Sequence, residues 1–339
     1  MTHAISNKIK VYNLILILFI FMYHSDAKYY FKWSNLPYVM GSFGLAFFFM
    51  TSGYFMFRGM NGDNAIKRSL KRIKTVFLPY AFWNLLFFSI FLIRDKNYRK
   101  IEIKTFLYRF FFQPYNEVLW YLFALFVFSI LAFIVYRIIS NKTGAALFIA
   151  VLSVLVLVFC IFKAEAVVGS SPIGWWIVKI FPYMPIYYFG GVAAIYFEKH
   201  LSSSVKAAPV FILLSAVIIV LKWKYDHILV LGWALLFVAP IIFWYAVPEK
   251  AFEKGDRIIN ALCEPSFLIY EAQLLAFWIW QSIYDGHISD KGTYEKCVCI
   301  SALISIYIVF YLSKLLLPHL LAIATGFRSG KDFTRGKER

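Results

Sequence analysis

The sequence predicts an all-α fold, a polytopic membrane bundle of about ten transmembrane helices with the N and C termini in the cytoplasm. Composition is the first observation: of 339 residues, 61% are hydrophobic and only 16% are charged, and the mean hydropathy is +0.69. Soluble domains carry about 25% charged residues. The second observation is a series of apolar runs of transmembrane length. The third is an uneven distribution of Lys and Arg between the segments that connect them.

Ten apolar runs approach the ~20 residues that a helix needs to cross a bilayer. They cover approximately residues 11–25, 37–57, 74–93, 118–137, 144–163, 174–197, 207–223, 227–247, 260–284 and 299–325. No internal repeat or low-complexity linker interrupts the series. We therefore expect one membrane-embedded domain over residues 1–339, with a short basic tail from about residue 326.

The loops determine the expected orientation, because cytoplasmic loops are enriched in Lys and Arg. Placing the N terminus inside puts the larger share of these residues in the cytoplasm, including those of the segment 58–74. The segment 94–117 is basic and aromatic yet falls outside, and we interpret it as an amphipathic segment lying on the membrane surface. No small-residue cleavage site follows the first run, which is expected to remain as an anchor in a bacterial plasma membrane.

The net charge of +17 is interpreted as a topology signal and as contact with anionic lipids, because no nucleic-acid-binding module is recognisable. The cysteines have no His partner at metal-ligand spacing, and two of them are too close together for an ordinary disulfide. We expect small buried hydrophobic side chains and no metal site at Cys160, Cys263, Cys297 and Cys299.

The ionisable group His24 closes the first run, and Asn13 precedes it by about three helical turns, or ~16 Å. A titratable group at the edge of a transmembrane helix is a functional candidate, and an imidazole resting at the lipid boundary is the alternative. In the ninth run, Glu271 lies near the middle and Gln273 follows it. A buried carboxylate is costly, so Glu271 either pairs with Lys179 or Lys314 or lines a substrate cavity.

A basic stripe is predicted on a short helix within the segment 58–74, where cationic residues recur at three- to four-residue spacing. The stripe can bind a phosphorylated donor through charge-assisted contacts, or it can anchor the chain against anionic lipid. Its members are Lys67, Arg68, Lys71, Arg72 and Lys74.

Six short motifs follow one another along the chain: HS at His24–Ser25, FFFMTSGYFMF at Phe47–Phe57, KRIKTVFLPY at Lys71–Tyr80, LWYL at Leu119–Leu122, YFGG at Tyr188–Gly191 and PSFLIY at Pro265–Tyr270. In this order, on a chain with ten apolar runs, they resemble the acyltransferase-3 family of integral membrane O-acyltransferases over about residues 8–320. The resemblance implies a ten-helix bundle that takes an acyl group, usually acetyl, from cytoplasmic acyl-CoA. It also implies that the group passes to a sugar hydroxyl of a surface polysaccharide or its lipid-linked precursor.

The resemblance also implies which residues act, and this sequence departs from the family pattern at several of them. His24 matches the His of the first span, and the Arg that precedes it in the family is replaced by Asn13. The family's ninth-span motif ends in a His, which falls here at about Gln273, with Glu271 nearby. We predict His24 and Asn13 as the catalytic pair.

The segment before the third span is implied to bind the donor. Arg72 matches the first member of a basic pair that precedes Pro-Tyr in the family, and the second member falls on Thr75, with Lys74 adjacent. We predict that acetyl-CoA, a donor substrate and not a tightly bound cofactor, is held by Arg68, Lys71, Arg72, Lys74 and Tyr80.

The expected function is an O-acyltransferase, in particular an O-acetyltransferase, in which His24 accepts the proton of a sugar hydroxyl as it attacks the thioester. The acyl group needs a polar passage from the cytoplasm, and its predicted lining is Ser52, Trp120, Tyr121, Tyr270, Glu271 and Gln273. The alternatives are a family-like glycan exporter or flippase component without catalysis, and a transporter for a small organic ion.

Overall fold

A computed structural model of the protein describes residues 3–26, 35–95, 101–161, 172–198, 204–225, 228–253 and 256–326. These residues form helices joined by turns, with no strand among them, which confirms the all-α class. The basic tail predicted from about residue 326 lies outside the described residues beyond that position, as do residues 96–100 of the basic segment.

In chain order the described helices are α1 (His3–His24), α2 (Leu36–Phe57), α3 (Ala65–Arg94), α4 (Ile103–Phe112), α5 (Trp120–Ile139), α6 (Lys142–Ile161), α7 (Pro172–Ile180), α8 (Met184–Tyr196), α9 (Ala208–Tyr225), α10 (Leu229–Ala246), α11 (Asp256–Cys263), α12 (Ser266–Tyr284), α13 (Lys291–Leu316) and α14 (Pro318–Ala324). Single turns of 3-10 helix at Glu117–Leu119, Phe181–Tyr183 and Glu249–Phe252 adjoin α5, α8 and α10.

Seven of the described helices are long and apolar enough to cross a membrane, judged by length and composition. They are α1, α2, α3, α5 with its 3-10 turn, α6, α9 and α13, and α10 contains a shorter apolar helix. A multi-pass membrane protein is therefore supported. The expected number of about ten spans and the expected orientation stay predictions.

Prolines divide three of the predicted spans, which the apolar runs alone had joined. The sixth consists of α7 and α8 with Pro182 in the turn between them, and the ninth consists of α11 and α12, which meet at Pro265. The tenth is divided into α13 and α14 at Pro318. Proline has no backbone N–H to donate and clashes with the preceding turn, so each of these helices ends and restarts there.

The described helices group into two compact units. The first takes its described residues from 1–48 and 197–321, and the second takes them from 49–196 and from 322–326. Helix α2 contributes its beginning to the first unit and its end to the second. The single domain expected from the sequence stays a prediction.

In the first unit, side chains of α1 satisfy the C-terminal end of α10. The fully buried ammonium of Lys8 donates to the Trp244 carbonyl at 2.5 Å and lies 4.3 Å from the centroid of the Trp244 ring. One turn later the Tyr12 hydroxyl donates to the Phe243 carbonyl at 2.5 Å. The last carbonyls of a helix have no partner within it, so α1 completes α10 from outside.

In the second unit, α2 and α8 cross at glycines. A Cβ added at Gly53 would lie 1.8 Å from the carbonyl oxygen of Tyr187, and one added at Gly190 would lie 2.0 Å from that of Met50. No other residue type fits at these distances, so the two backbones are in direct contact. Small residues permit this close approach of helices in membranes.

The short helix α4 is fastened to α3 by polar side chains. The Tyr80 hydroxyl and the Asn84 amide both donate to the Phe110 carbonyl, the amide at 3.0 Å. The Asn84 side-chain oxygen accepts from the backbone N–H of Tyr115 at 2.8 Å. These bonds satisfy the end of α4, whose opposite face is exposed and apolar in part. Helix α4 thus has the amphipathic character that the sequence predicted for this segment.

The end of the described chain packs on the middle of α3 in the second unit. Trp83 donates through its indole N–H to the Ala324 carbonyl at 3.0 Å. Pro79 leaves the carbonyl of Thr75 without its usual helical donor. Gly326 lies against that carbonyl with a φ of +63°, and an added Cβ would be 2.1 Å from the oxygen.

Replacing Gly53 with Ala is expected to destabilise the second unit, because the new methyl group overlaps the Tyr187 carbonyl. Overpacking of a helix crossing costs up to about 3 kcal/mol. Thermal unfolding of the detergent-purified protein measures the effect as a lower Tm. Gly62→Ala is the matched control, because an added Cβ at Gly62 meets nothing within 4 Å. Equal Tm values for the two variants would contradict the crossing.

Candidate functional site

Helices α1 and α12 run side by side and in the same direction in the first unit. At one end, Lys10 donates to the side-chain oxygen of Asn260 in the preceding helix α11 at 2.7 Å. At the other end, the rings of Phe21 and Phe277 pack with their centroids 4.6 Å apart. These two contacts fix which residues of the two helices are level with one another.

Several predicted site residues are nearly level on these two helices. At ~1.5 Å per residue, Asn13 lies about 12 Å before the Phe21–Phe277 contact and Glu271 about 9 Å before it. Glu271 and Gln273 are fully buried. Gln273 Oε1 and Asn13 Oδ1 are buried without a hydrogen-bond partner in the part of the chain that the structure describes. An unsatisfied buried acceptor is costly, so this level is suited to a group that donates hydrogen bonds.

The two lysines proposed as partners of Glu271 have other contacts. Lys314 Nζ lies 2.7 Å from both carboxylate oxygens of Glu264. Lys179 belongs to the second unit, where its Nζ lies 5.7 Å from the centroid of the Trp120 ring. Lys314 therefore forms an ion pair with Glu264, which precedes Glu271 in the same predicted span.

His24 is the last residue of α1, on the same continuous helix as Asn13, as the spacing predicted. Its imidazole is exposed and meets the Tyr23 ring edge-on, with the centroids 5.2 Å apart. His24 is therefore accessible to a substrate and can take up a proton.

The basic stripe is part of a long helix and not a short helix in a loop, which corrects the sequence prediction. Helix α3 begins at Ala65 and continues to Arg94, because Pro79 is tolerated within it and no other residue breaks it. The ammonium groups of the stripe are on exposed residues: Lys67, Lys71 and Lys74. They are available to phosphate groups of a ligand or of lipid.

Two predicted donor contacts are instead engaged within the protein. Arg68 donates to the carbonyls of Arg58 at 2.5 Å and Phe55 at 3.3 Å, and so caps the C-terminal end of α2. Tyr80 is buried, and its hydroxyl donates to the Phe110 carbonyl. Both side chains therefore hold helices together.

Arg72 belongs to a buried polar cluster that the sequence did not reveal. On α3, the Ser69 hydroxyl and the Arg72 Nε–H are buried without hydrogen-bond partners among the described residues. The hydroxyl of Tyr187 on α8 is also buried, and the Ser129 side chain on α5 lies close enough to interact with it. The charge of Arg72 acts on the Tyr187 hydroxyl, so these groups are neighbours. In the sequence, the spacing of Ser69 and Arg72 by one helical turn is the feature that could have indicated this cluster. Tyr187 lies in an apolar run and gives no such indication.

Two residues of the predicted passage extend this cluster. Ser52 Oγ and the Tyr121 hydroxyl are 3.2 Å apart and connect α2 with α5. Tyr121 is also an electrostatic neighbour of Tyr187. Trp120 packs with Tyr183, with ring centroids 5.7 Å apart, and belongs to the aromatic surroundings of the cluster. Tyr270 is buried in the first unit, where its carbonyl accepts from Gln273 at 2.8 Å.

The two units thus offer different chemistry. The second presents hydrogen-bond donors without a partner among the described residues, including those of Ser69, Arg68, Arg72 and Tyr187. The first presents acceptors without such a partner, including those of Asn13, Gln273 and Glu295. Within the described ranges, no group of three or more His, Cys, Asp or Glu side chains is placed to hold a metal ion.

The helices define the class of the chain as a multi-pass membrane protein. A family model described as an acyltransferase domain matches residues 14–324, nearly the whole chain. The chain therefore belongs to the acyltransferase-3 family, as its ordered motifs predicted, and membership supports a membrane acyltransferase with an acyl donor and an acceptor. No curated protein and no solved structure matched the chain.

Replacing Arg68 or Arg72 with Gln is expected to separate a structural arginine from a functional one. Arg68→Gln removes a cap of α2 and should lower the Tm, corresponding to about 1–2 kcal/mol. Arg72→Gln leaves the Tm unchanged or raises it, because the lost Nε–H has no partner in the described structure. Thermal unfolding is the measurement, with Lys71→Gln as the exposed control. A larger loss for Arg72→Gln than for Arg68→Gln would contradict this assignment.

Proposed function

We propose that the chain is an O-acyltransferase that moves an acyl group, acetyl in the first instance, from cytoplasmic acyl-CoA to a hydroxyl of a surface or lipid-linked glycan. The proposal adds the donor, the acceptor and the bacterial plasma membrane to the acyltransferase activity that family membership supports. The observation that carries it is the group of buried hydrogen-bond donors at Ser69, Arg72 and Tyr187.

The donor acyl-CoA supplies what these groups need. Its phosphate oxygens and its amide and thioester carbonyls all accept hydrogen bonds, and a guanidinium binds phosphate more strongly than a neutral donor does. Arg72 occupies the position of the family's first basic residue, and Lys71 and Lys74 add exposed positive charge on the same helix. We assign recognition of the donor to Arg72, Ser69 and Tyr187, with these lysines attracting the phosphates.

His24 is the proposed general base for the acceptor. Its imidazole takes the proton of the sugar hydroxyl as the hydroxyl oxygen attacks the thioester carbonyl carbon. The tetrahedral intermediate then collapses, the C–S bond breaks, and the imidazolium returns the proton to the departing thiolate of CoA. Helices α1 and α12 also carry side-chain oxygens that can accept hydrogen bonds from donor groups of a substrate. These belong to Asn13, Glu271 and Gln273.

The rival proposal is a glycan exporter or flippase component with the family fold and no transfer. It rests on Asn13, which stands where the family has Arg and brings no positive charge to α1. A neutral amide can still donate and accept hydrogen bonds. Loss of one charge therefore does not remove the proton acceptor that the reaction needs.

Replacing His24 with Ala is expected to reduce acetyl transfer at least about 100-fold, because general-base catalysis contributes 10²–10⁴-fold. Membranes containing each variant are incubated with labelled acetyl-CoA and the glycan fraction of the source cell, and label in the glycan is measured. Expression and Tm should not change, since the imidazole is exposed.

His287→Ala is the matched control, because His287 is an exposed imidazole in the turn after α12. Transfer by His24→Ala within a few-fold of wild type would refute the catalytic role. An absence of transfer by wild type with its authentic acceptor would favour the exporter.

A further inference from the structure

The end of α1 meets the first turns of α13 at an acidic pair that the reaction described above does not use. The Ser25 side chain, only 3% exposed, is within hydrogen-bonding range of the Cys299 thiol. The adjacent Asp26 is exposed and lies close enough to Glu295 for their charges to interact. Glu295 is one turn before Cys299 on α13. His24 immediately precedes Ser25, so the end of α1 that carries the imidazole is the end that meets Glu295.

Glu295 is the unusual member of the pair. Its side chain is 5% exposed, and Oε2 is buried without a hydrogen-bond partner in the described part of the chain. The cation that acts on it is Lys291, one turn earlier on the same helix. A buried carboxylate oxygen that accepts no hydrogen bond is costly, so the position calls for a donor from outside.

The neighbouring Asp290 shows that Glu295 is not needed to begin the helix. Asp290 Oδ2 accepts from the backbone N–H of Thr293 at 2.6 Å and caps α13. The hydrogen bonds from the Thr293 side chain and backbone lower the pKa of Asp290. The cap is thus complete without Glu295.

We propose that Glu295, together with Asp26, forms an acceptor subsite beside His24 that binds the hydroxyl or ammonium groups of a neutral or amino sugar. A carboxylate accepts charge-assisted hydrogen bonds from both groups and repels a sugar that carries its own carboxylate. The inference rests on the proposed function and adds the class of acceptor. It makes Glu295 a specificity-determining residue.

The test uses the full-length protein with labelled acetyl-CoA and three soluble acceptors, the p-nitrophenyl glycosides of glucose, glucosamine and glucuronic acid. Wild type is expected to show a KM at least about tenfold lower for the first two than for the glucuronide. Glu295→Gln keeps the shape, removes the charge, and should raise the KM for glucose and glucosamine about tenfold or more, with kcat within a few-fold.

Two further measurements distinguish a role of Glu295 in acceptor binding from a structural role. Glu295→Gln should not lower the Tm, because Oε2 loses no hydrogen bond of the described protein. Asp285→Asn removes an exposed charge at the C-terminal end of α12 and should leave the KM values unchanged. A lowered Tm with unaltered KM values for Glu295→Gln would make Glu295 structural and overturn the inference.

The failures of this inference and of the proposed function are distinguishable. If wild type consumes acetyl-CoA in a His24-dependent way but uses the glucuronide as well as the others, the acceptor subsite is refuted and the transferase is not. If no His24-dependent consumption of acetyl-CoA occurs, both are refuted.

Discussion

The backbone contact between α2 and α8 is the constraint on which the candidate donor site depends. Gly53 faces the carbonyl of Tyr187, and Gly190 faces that of Met50, at distances that exclude any side chain. Ser52 immediately precedes the first of these glycines. The crossing therefore sets the distance between α2, whose Ser52 hydrogen-bonds to Tyr121, and α8, which carries the Tyr187 hydroxyl. If α2 and α8 were further apart, these polar groups would be surrounded by apolar side chains and would not contact one another.

The buried polar groups are costly to the fold, and their cost indicates their use. Each unsatisfied buried donor or acceptor disfavours the folded state by about 1–3 kcal/mol. At other places in the described structure, side chains donate hydrogen bonds to backbone carbonyls at the ends of helices. Lys8 and Tyr12 do so at the end of α10, and Asn84 does so at the end of α4. The buried polar groups of Arg72 and Tyr187 are among those that the fold leaves without such a partner, and they are therefore candidates for contacts with a ligand.

The helical class of the fold follows from the sequence, because apolar runs of this length are typical of membrane-spanning helices. The all-helical class, the amphipathic α4 and the shared helix of Asn13 and His24 were all predictable. Apolar runs could not show that Pro182 and Pro265 divide two spans while Pro79 and Pro240 remain inside helices. Hydropathy is insensitive to whether a neighbouring group can satisfy the carbonyl that a proline leaves free.

The site was less predictable, because the roles of its residues are set by tertiary contacts. Arg68 and Arg72 are equivalent members of one stripe in sequence, and only the position of the α2 C terminus makes Arg68 a cap. Tyr187 lies in an uninterrupted apolar run, so its hydroxyl is recognisable as a site group only from the packing of α8 beside α3 and α5. His24, in contrast, was recognisable because an ionisable group at the end of an apolar helix is rare.

Direct binding of coenzyme A tests the central claim, that the buried hydrogen-bond donors of the second unit recognise the acyl donor. Isothermal titration of the purified protein in detergent gives the Kd for coenzyme A without requiring an acceptor or turnover. The account predicts that Arg72→Gln and Tyr187→Phe each weaken binding about tenfold, the value expected for loss of one hydrogen bond to a charged or well-oriented acceptor. A Kd for both variants equal to that of wild type would contradict it.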